Sequence, residues 1–422
     1  MKKVDVLISD FFDSKIGPMQ TIRRIKNSQD FFRERGYEIN VFTREGVSSE
    51  EQETDMSSSF IYNYLKSRKW WPSIVRWLQR HTLWYAKKNQ EHAMMRSRQL
   101  LYSYSELKRT PDIIVFHRFY DCYTYLKSCK NNKTKVVYFE HDDGSGDMAF
   151  YSFPKAKGSR VEKEFLEKEL FVMSNIDVMA CITKTTERNL IRRYPVLNGK
   201  TRLVINGISD ITEEQKVESI KIRAEYQQPK YRLIATGSIN GRKGHREIVE
   251  ALYQMESKKL VDFHVSFLGD GPEKGEIEGL VKKYGLQEIV TFEGIIPNLE
   301  VYKYQARCNI AILISKVEGL PLALLEGMRS GLALISTRVS GMPEIIEDGA
   351  NGLLINPSVD ELVNVFNNMN KYDWTSMGVE SRKKFDEFYN FARMRDDYVN
   401  MLDYILTLPT SNDHSLDNGK RN

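Results

Sequence analysis

Apolar runs of strand length alternate with helix-period segments along the whole chain. The first half carries such runs at "VDVLIS", "EINVFT", "IIVFH", "KVVYFEH" and "DVMACIT". The second half carries "YRLIATGS", "DFHVSFLG", "VTFEG", "NIAILIS", "LALIST" and "GLLI". Runs that are apolar at nearly every position, rather than every second one, belong to strands covered on both faces, and the intervening helices supply the cover. Two such series predict an α/β chain of two doubly wound, Rossmann-like parallel-sheet domains. The break falls in the polar, strand-poor stretch from Asp210 to Lys230. This gives a first domain at 1–207, a second at 208–380 and a C-terminal helix at 381–408, expected to cross back to the first domain. The polar tail, 409–422, is expected to be disordered.

A length of 422 residues suits two cores rather than one. With 41% hydrophobic and 28% charged residues, the composition is that of a soluble globular chain. Cys122, Cys129, Cys181 and Cys308 are far apart with no CxxC pair, so free thiols in a reducing compartment are expected. The opening "MKKVDVLISDFF" reads as a first strand, not a signal peptide, because an aspartate interrupts a short apolar run. No run of about 18 apolar residues occurs, so a cytoplasmic protein is expected.

The net charge of +5 is unevenly spread. Residues 62–109 hold eleven Lys or Arg against Glu91 and Glu106, a local net of +9, and four of the five tryptophans. Trp70, Trp71, Arg76, Trp77, Arg80, Lys87 and Lys88, with Trp84, interleave rings and cations as an interfacial helix does, a candidate membrane and acceptor surface. The plainer alternative is a helical insertion packed on its own domain with a solvated basic face. No nucleic-acid-binding motif accompanies the stretch, so nucleic acid is not an expected partner.

The second half concentrates the chemistry. In "ATGSINGRKGHREIVEAL" a strand ends in a glycine loop and a helix follows. The free N–H groups and positive end of that helix suit a phosphate, and Arg242 and Lys243 add two charges. In "KVEGLPLALLEGMRSG", Glu318 lies in a loop after a strand and Glu326 in the second turn of a helix that Pro321 opens. Both can face one crevice beyond the strand ends, where open α/β sheets bind ligands. The alternative is a strand-end carboxylate and a surface one.

The ordered set "GSINGRKGH", "LGDGPEKGEIEGLVKKYGL..VTFEG", Glu318-x7-Glu326 and "SGMPEIIEDGANGLLI" resembles the retaining GT-B glycosyltransferases of family 4 across residues 231–356. The first half resembles them more weakly, through "EHDDG", "DVMACITKTTERNL" and "LVINGIS". The resemblance implies two facing Rossmann-like domains and a nucleotide-sugar donor, UDP-linked by default. It also implies Lys243 on the diphosphate, Glu318 on the donor-sugar hydroxyls and Glu326 on the ribose, with the N–H groups of Gly319 and Leu320 over the distal phosphate. His141 would stand near the reacting carbon, with His117 as a rival.

Two positions depart from the family pattern. Ser238 stands where many members carry Arg, with Arg242 as a substitute charge. The phosphate-side turn of the first domain, "DSKIGPMQ", has Gly17 alone, followed by Pro18, which lacks an N–H. No D-x-D motif is present, so turnover without a metal or other cofactor is expected. The expected acceptor is membrane-associated, in surface polysaccharide or cell-envelope glycan synthesis, with the protein peripheral on the inner membrane face. The alternatives are a soluble or protein acceptor, or a GT-B partner chain that binds without catalysing. A nicotinamide-dependent oxidoreductase is disfavoured by the lack of a GxGxxG with its following acidic residue.

Overall fold

The computed structural model of the protein describes residues 1–12, 17–44, 78, 81–131 and 133–409. Its strands form two six-stranded sheets. The first runs β2-β1-β3-β4-β5-β6, from β1 (Lys2–Leu7), β2 (Tyr37–Phe42), β3 (Ile113–Phe116), β4 (Lys135–Glu140), β5 (Val178–Cys181) and β6 (Thr201–Leu203). The second runs β12-β11-β10-β7-β8-β9, from β7 (Tyr231–Thr236), β8 (Phe263–Leu268), β9 (Val290–Gly294), β10 (Ile310–Leu313), β11 (Ala333–Thr337) and β12 (Gly352–Ile355). Every pairing is parallel. The two doubly wound domains expected from the alternation are therefore present.

The chain divides into two compact units. One comprises Met1–Ile182, Thr186–Val204 and the chain from Arg395; the other comprises Thr183–Thr185 and Ile205–Met394. In the first unit, Ile114, Phe116, Val136 and Tyr138 of the sheet pack with Leu100, Leu101 and Tyr104 of the Leu83–Glu106 helix. In the second, Leu233, Val265, Ile312 and Ile335 pack with Ile248, Leu252 and Phe366 from the covering helices. β3, β5 and β10 are buried at every position, which is why they read as unbroken apolar runs.

Two elements add to the reading from sequence. β6 is a three-residue edge strand, too short to show a pattern. The polar stretch at 210–230 contains a helix, Glu213–Glu225, opened by a reciprocal capping box between Thr212 and Gln215. No residue of that helix is buried, so it lacked the apolar stripe that announces a helix.

Trp70, Trp71, Arg76, Trp77 and Arg80 lie outside the described residues, as does the tail from 410. Lys87 and Lys88 lie on the Leu83–Glu106 helix, Lys87 exposed and Lys88 paired with Glu91 at 3.0 Å. That helix buries Leu100, Leu101 and Tyr104 against its own domain and leaves Trp84 and Tyr102 exposed. Among the described residues no helix is long and apolar enough to cross a membrane. The four cysteines are free, three of them buried.

Candidate functional site

Both sheets reverse their winding beside their first strand, between β1 and β3 and between β7 and β10. At such a point the loops leaving the two carboxyl ends part, and a crevice opens between them. In the second unit these are the loop after β7, Gly237–Gly244, and the loop after β10 that carries Glu318.

The two loops are tied by one backbone and one side-chain hydrogen bond. The Lys316 N–H donates to the Arg242 carbonyl at 2.9 Å, and Arg242 Nη1 donates to the Val317 carbonyl at 2.9 Å. Gly244 permits the approach. Its φ is +76°, and a Cβ there would stand 2.1 Å from the Ile314 carbonyl oxygen. The His245–Gln254 helix starts directly after it.

This junction sets two cations on one carboxylate. Glu318 Oε1 lies 2.7 Å from Arg242 Nη1 and 2.5 Å from Lys243 Nζ, and accepts from Ser315 Oγ at 2.9 Å. The Glu318 N–H donates to Ser340 Oγ at 3.2 Å. Glu318 is only 6% exposed. Burial alone would push its carboxyl up, but Lys243 and Arg242 outweigh that and hold it below the usual carboxylate range. Burial lowers the Lys243 ammonium, with Glu318 opposing. Buried His245, beside Lys243, is lowered to about 4 by burial and then by that charge, so it is neutral. The cluster carries +2 against −1.

The remaining candidates of the second unit surround this cluster. Gly319 and Leu320 are buried, and among the described residues their N–H groups donate to no protein acceptor. Glu326 is half-buried in the second turn of the Leu322–Arg329 helix. Ser238 is exposed on the loop after β7. Sequence reasoning missed Ser315 and Ser340. Ser315 stands three residues before Glu318 at the end of an apolar run, where a small hydroxyl is an ordinary strand terminator.

In the first unit, residues 13–16 of the expected turn lie outside the described residues, and Gly17 follows them. It is the exposed first residue of the Gly17–Lys26 helix, where the missing N–H of Pro18 costs nothing. His117 follows β3 and His141 follows β4, and the two are bonded, Nδ1 of one to Nε2 of the other at 2.8 Å. Their rings stack, and each also stacks on Phe139. Burial holds His117 well below the usual imidazole range. Burial and then the Arg118 charge lower His141 to about 3. Both are neutral and share one hydrogen bond, so the two rivals of the sequence form one pair. Beside them Glu140 is raised to about 8, by burial and by the Asp142 charge. Among the described residues no group of three His, Cys, Asp or Glu could hold a metal ion.

Two family models match consecutive parts of the chain: Glycosyltransferase Family 4 over residues 23–210 and Glycosyl transferases group 1 over residues 195–387. A curated relative from Arabidopsis thaliana, a component of phosphatidylinositol N-acetylglucosaminyltransferase, is 25% identical over 243 residues, 57% of this chain and 50% of the relative. The chain thus spans about half the length of that relative. Among solved structures, sucrose-phosphate synthase from Thermosynechococcus elongatus superposes with a TM-score of 0.71 at 16% identity, over 96% of this chain and 99% of that one. Anabaena HepE in complex with UDP gives 0.64 at 14% identity, over 96% and 100%. By its two parallel sheets and by both models, the chain belongs to the glycosyltransferases of the two-domain, Rossmann-like GT-B fold.

Proposed function

We propose that the protein moves a sugar from a nucleoside diphosphate sugar, UDP-linked by preference, to a membrane-associated acceptor in glycan synthesis, with retention of configuration and without a metal. One observation carries the reading. At the switch point of the second sheet, a buried carboxylate is shared by two cations, which leaves one positive charge uncompensated. Uncompensated buried charge is costly, and an incoming diphosphate balances it.

On binding, Lys243 and Arg242 pair with the diphosphate, and the N–H groups of Gly319 and Leu320 take the distal phosphate oxygens. Glu318 is released to accept from the sugar hydroxyls, and Glu326 takes the ribose. In transfer, the bond from the anomeric carbon to the phosphate oxygen breaks and a bond to the acceptor oxygen forms. The acceptor proton passes to the leaving phosphate. Charge grows on that phosphate, where the fixed cations are strongest, so they stabilise the transition state more than the ground state. In the first unit, burial keeps His141 neutral, so it is a hydrogen-bond partner rather than a cation. HepE is described with UDP, which supports the choice of nucleotide, and the plant relative is named for a lipid acceptor, which supports the membrane assignment.

The test is thermal stabilisation by a panel of nucleoside diphosphates and their sugars with EDTA present. A ligand at a hundred times its Kd should add about 2.7 kcal/mol. A shift with one diphosphate, abolished in Lys243→Ala and Glu326→Ala, is the expected result. No shift with any member of the panel would sink the reading and favour a partner chain that does not catalyse.

A further inference from the structure

A second cavity, of about 1060 Å³, opens in the second unit at the amino ends of β7, β10 and β11. It lies at the opposite end of the parallel sheet from Glu318 and Lys243. The Glu213–Glu225 helix forms one wall, and the Trp374–Lys384 helix forms another.

Seven lining side chains are Lys or Arg, and only Asp373 is acidic. Asp373 is committed to its own helix, accepting from the Ser376 N–H at 3.0 Å and Ser376 Oγ at 2.7 Å. Three of the cations are neutralised from outside: Lys216 and Arg382 by Asp210, and Lys383 by Glu380. Arg223 and Arg232 have no such carboxylate among the described residues. Arg223 Nη2 donates to the Ser330 carbonyl at 2.6 Å, and Arg232 donates to the carbonyls of Arg307, Gln227 and Pro229 at 2.7–2.8 Å. Carbonyl oxygens satisfy the N–H groups but leave the charges uncancelled. Arg232 is 7% exposed, and burial together with the Arg223 charge lowers its guanidinium. The cavity therefore holds an exposed guanidinium, Arg223, beside a buried one, Arg232, neither balanced by a carboxylate, and such a pair draws an anion.

The walls say more about the occupant. Ile220 and Val379 line the cavity yet are 69% and 55% exposed, so they offer apolar surface that nothing described in the unit covers. Trp374 and Tyr372 also line it and stack edge to face on each other. A bare phosphate would leave these surfaces wet, and the volume is that of a site for a whole small molecule. We propose that this cavity is a second ligand site, taking a phosphorylated, ring-bearing small molecule whose phosphate pairs with Arg223 over the Arg232 floor and whose ring lies against the apolar walls.

The experiment is titration calorimetry on the full chain carrying Lys243→Ala, so that the carboxyl-end site is silenced and its failure cannot be mistaken for failure here. The probes are AMP and glucose 6-phosphate, with adenosine and glucose as their uncharged counterparts. At least one phosphorylated probe should bind, at least tenfold tighter than its counterpart. Arg223→Gln should weaken it at least tenfold, and Ile220→Ser should weaken it with the melting temperature unchanged. Both positions lie on a helix with no buried residue, so neither substitution threatens the fold. The proposal is overturned if neither phosphorylated probe binds, if the counterpart binds equally well, or if Arg223→Gln binds as tightly as its parent.

Discussion

Glu318 shows what a single residue can disclose and what it hides. Its place, eight residues before Glu326 in an apolar segment, pointed to a ligand site; its present partners, Lys243 and Arg242, lie some 75 residues away in sequence and come from the other loop. Periodicity reports neighbours along the chain, and a contact between loops of two strands arises only from the sheet order. The arrangement makes a sharp prediction. Glu318→Gln keeps the shape but leaves two partly buried cations facing each other, and removing one partner of a buried pair costs about 3–5 kcal/mol. The variant should melt lower than wild type without ligand and should be stabilised more by nucleoside diphosphate, while transfer activity falls. Equal stabilisation of both proteins would mean that the diphosphate does not replace the carboxylate. Because the folded Glu318 is held below the ordinary range, its contribution is complete above the unfolded carboxylate pKa and fades only as acid reaches the folded one.

Elements were more legible than sites. Strands with both faces covered announce themselves, as β3, β5 and β10 do, and β1 to β5 and β7 to β12 were all readable. β6, with three residues at a sheet edge, and the Glu213–Glu225 helix, with no apolar face, were not. The carboxyl ends of β3 and β4 present another case. Phe116 registers with Tyr138, and this pairing of neighbouring strands brings His117 and His141 together from 24 residues apart. Glu140 closes β4 and accepts from the N–H groups of His141 and Asp142 at 3.0 and 3.1 Å. Burial nevertheless keeps it protonated up to about pH 8. A carboxyl raised in the folded state stabilises fully below its unfolded pKa, and that contribution is lost as pH climbs through the folded value. Glutamine retains both accepted hydrogen bonds without titrating. Glu140→Gln should therefore match wild type in melting temperature near pH 4.5 and exceed it progressively toward pH 8, by at least ~1 kcal/mol at one pKa unit or more of separation. A constant difference across that range would show that Glu140 ionises normally.

At the scale of the whole molecule, charge is the informative quantity. The chain carries +5, and residues 62–109 alone carry +9, so the remainder is at −4. One segment thus makes an otherwise acidic protein basic, and it holds four of the five tryptophans. In the described part of that segment Leu100, Leu101 and Tyr104 pack inward, while Trp84 and Lys87 face solvent. A charge distributed in this way matters little for folding and a great deal for association with a negative surface, where each Lys or Arg contributes about 1 kcal/mol. The protein should therefore sediment with vesicles containing anionic phospholipid and not with purely zwitterionic ones, and added salt should release it as the Debye length shrinks. Replacing Arg76, Arg80, Lys87 and Lys88 by Gln removes four charges and should weaken that binding at least tenfold, which is well within about 4 kcal/mol. Stabilisation by nucleoside diphosphate should be unchanged in the same variant, since those residues belong to the first domain and the diphosphate cluster to the second. Sedimentation that ignores lipid charge, or a variant that binds vesicles as wild type does, would remove the membrane from the proposed function. The acceptor would then be a soluble sugar or a protein.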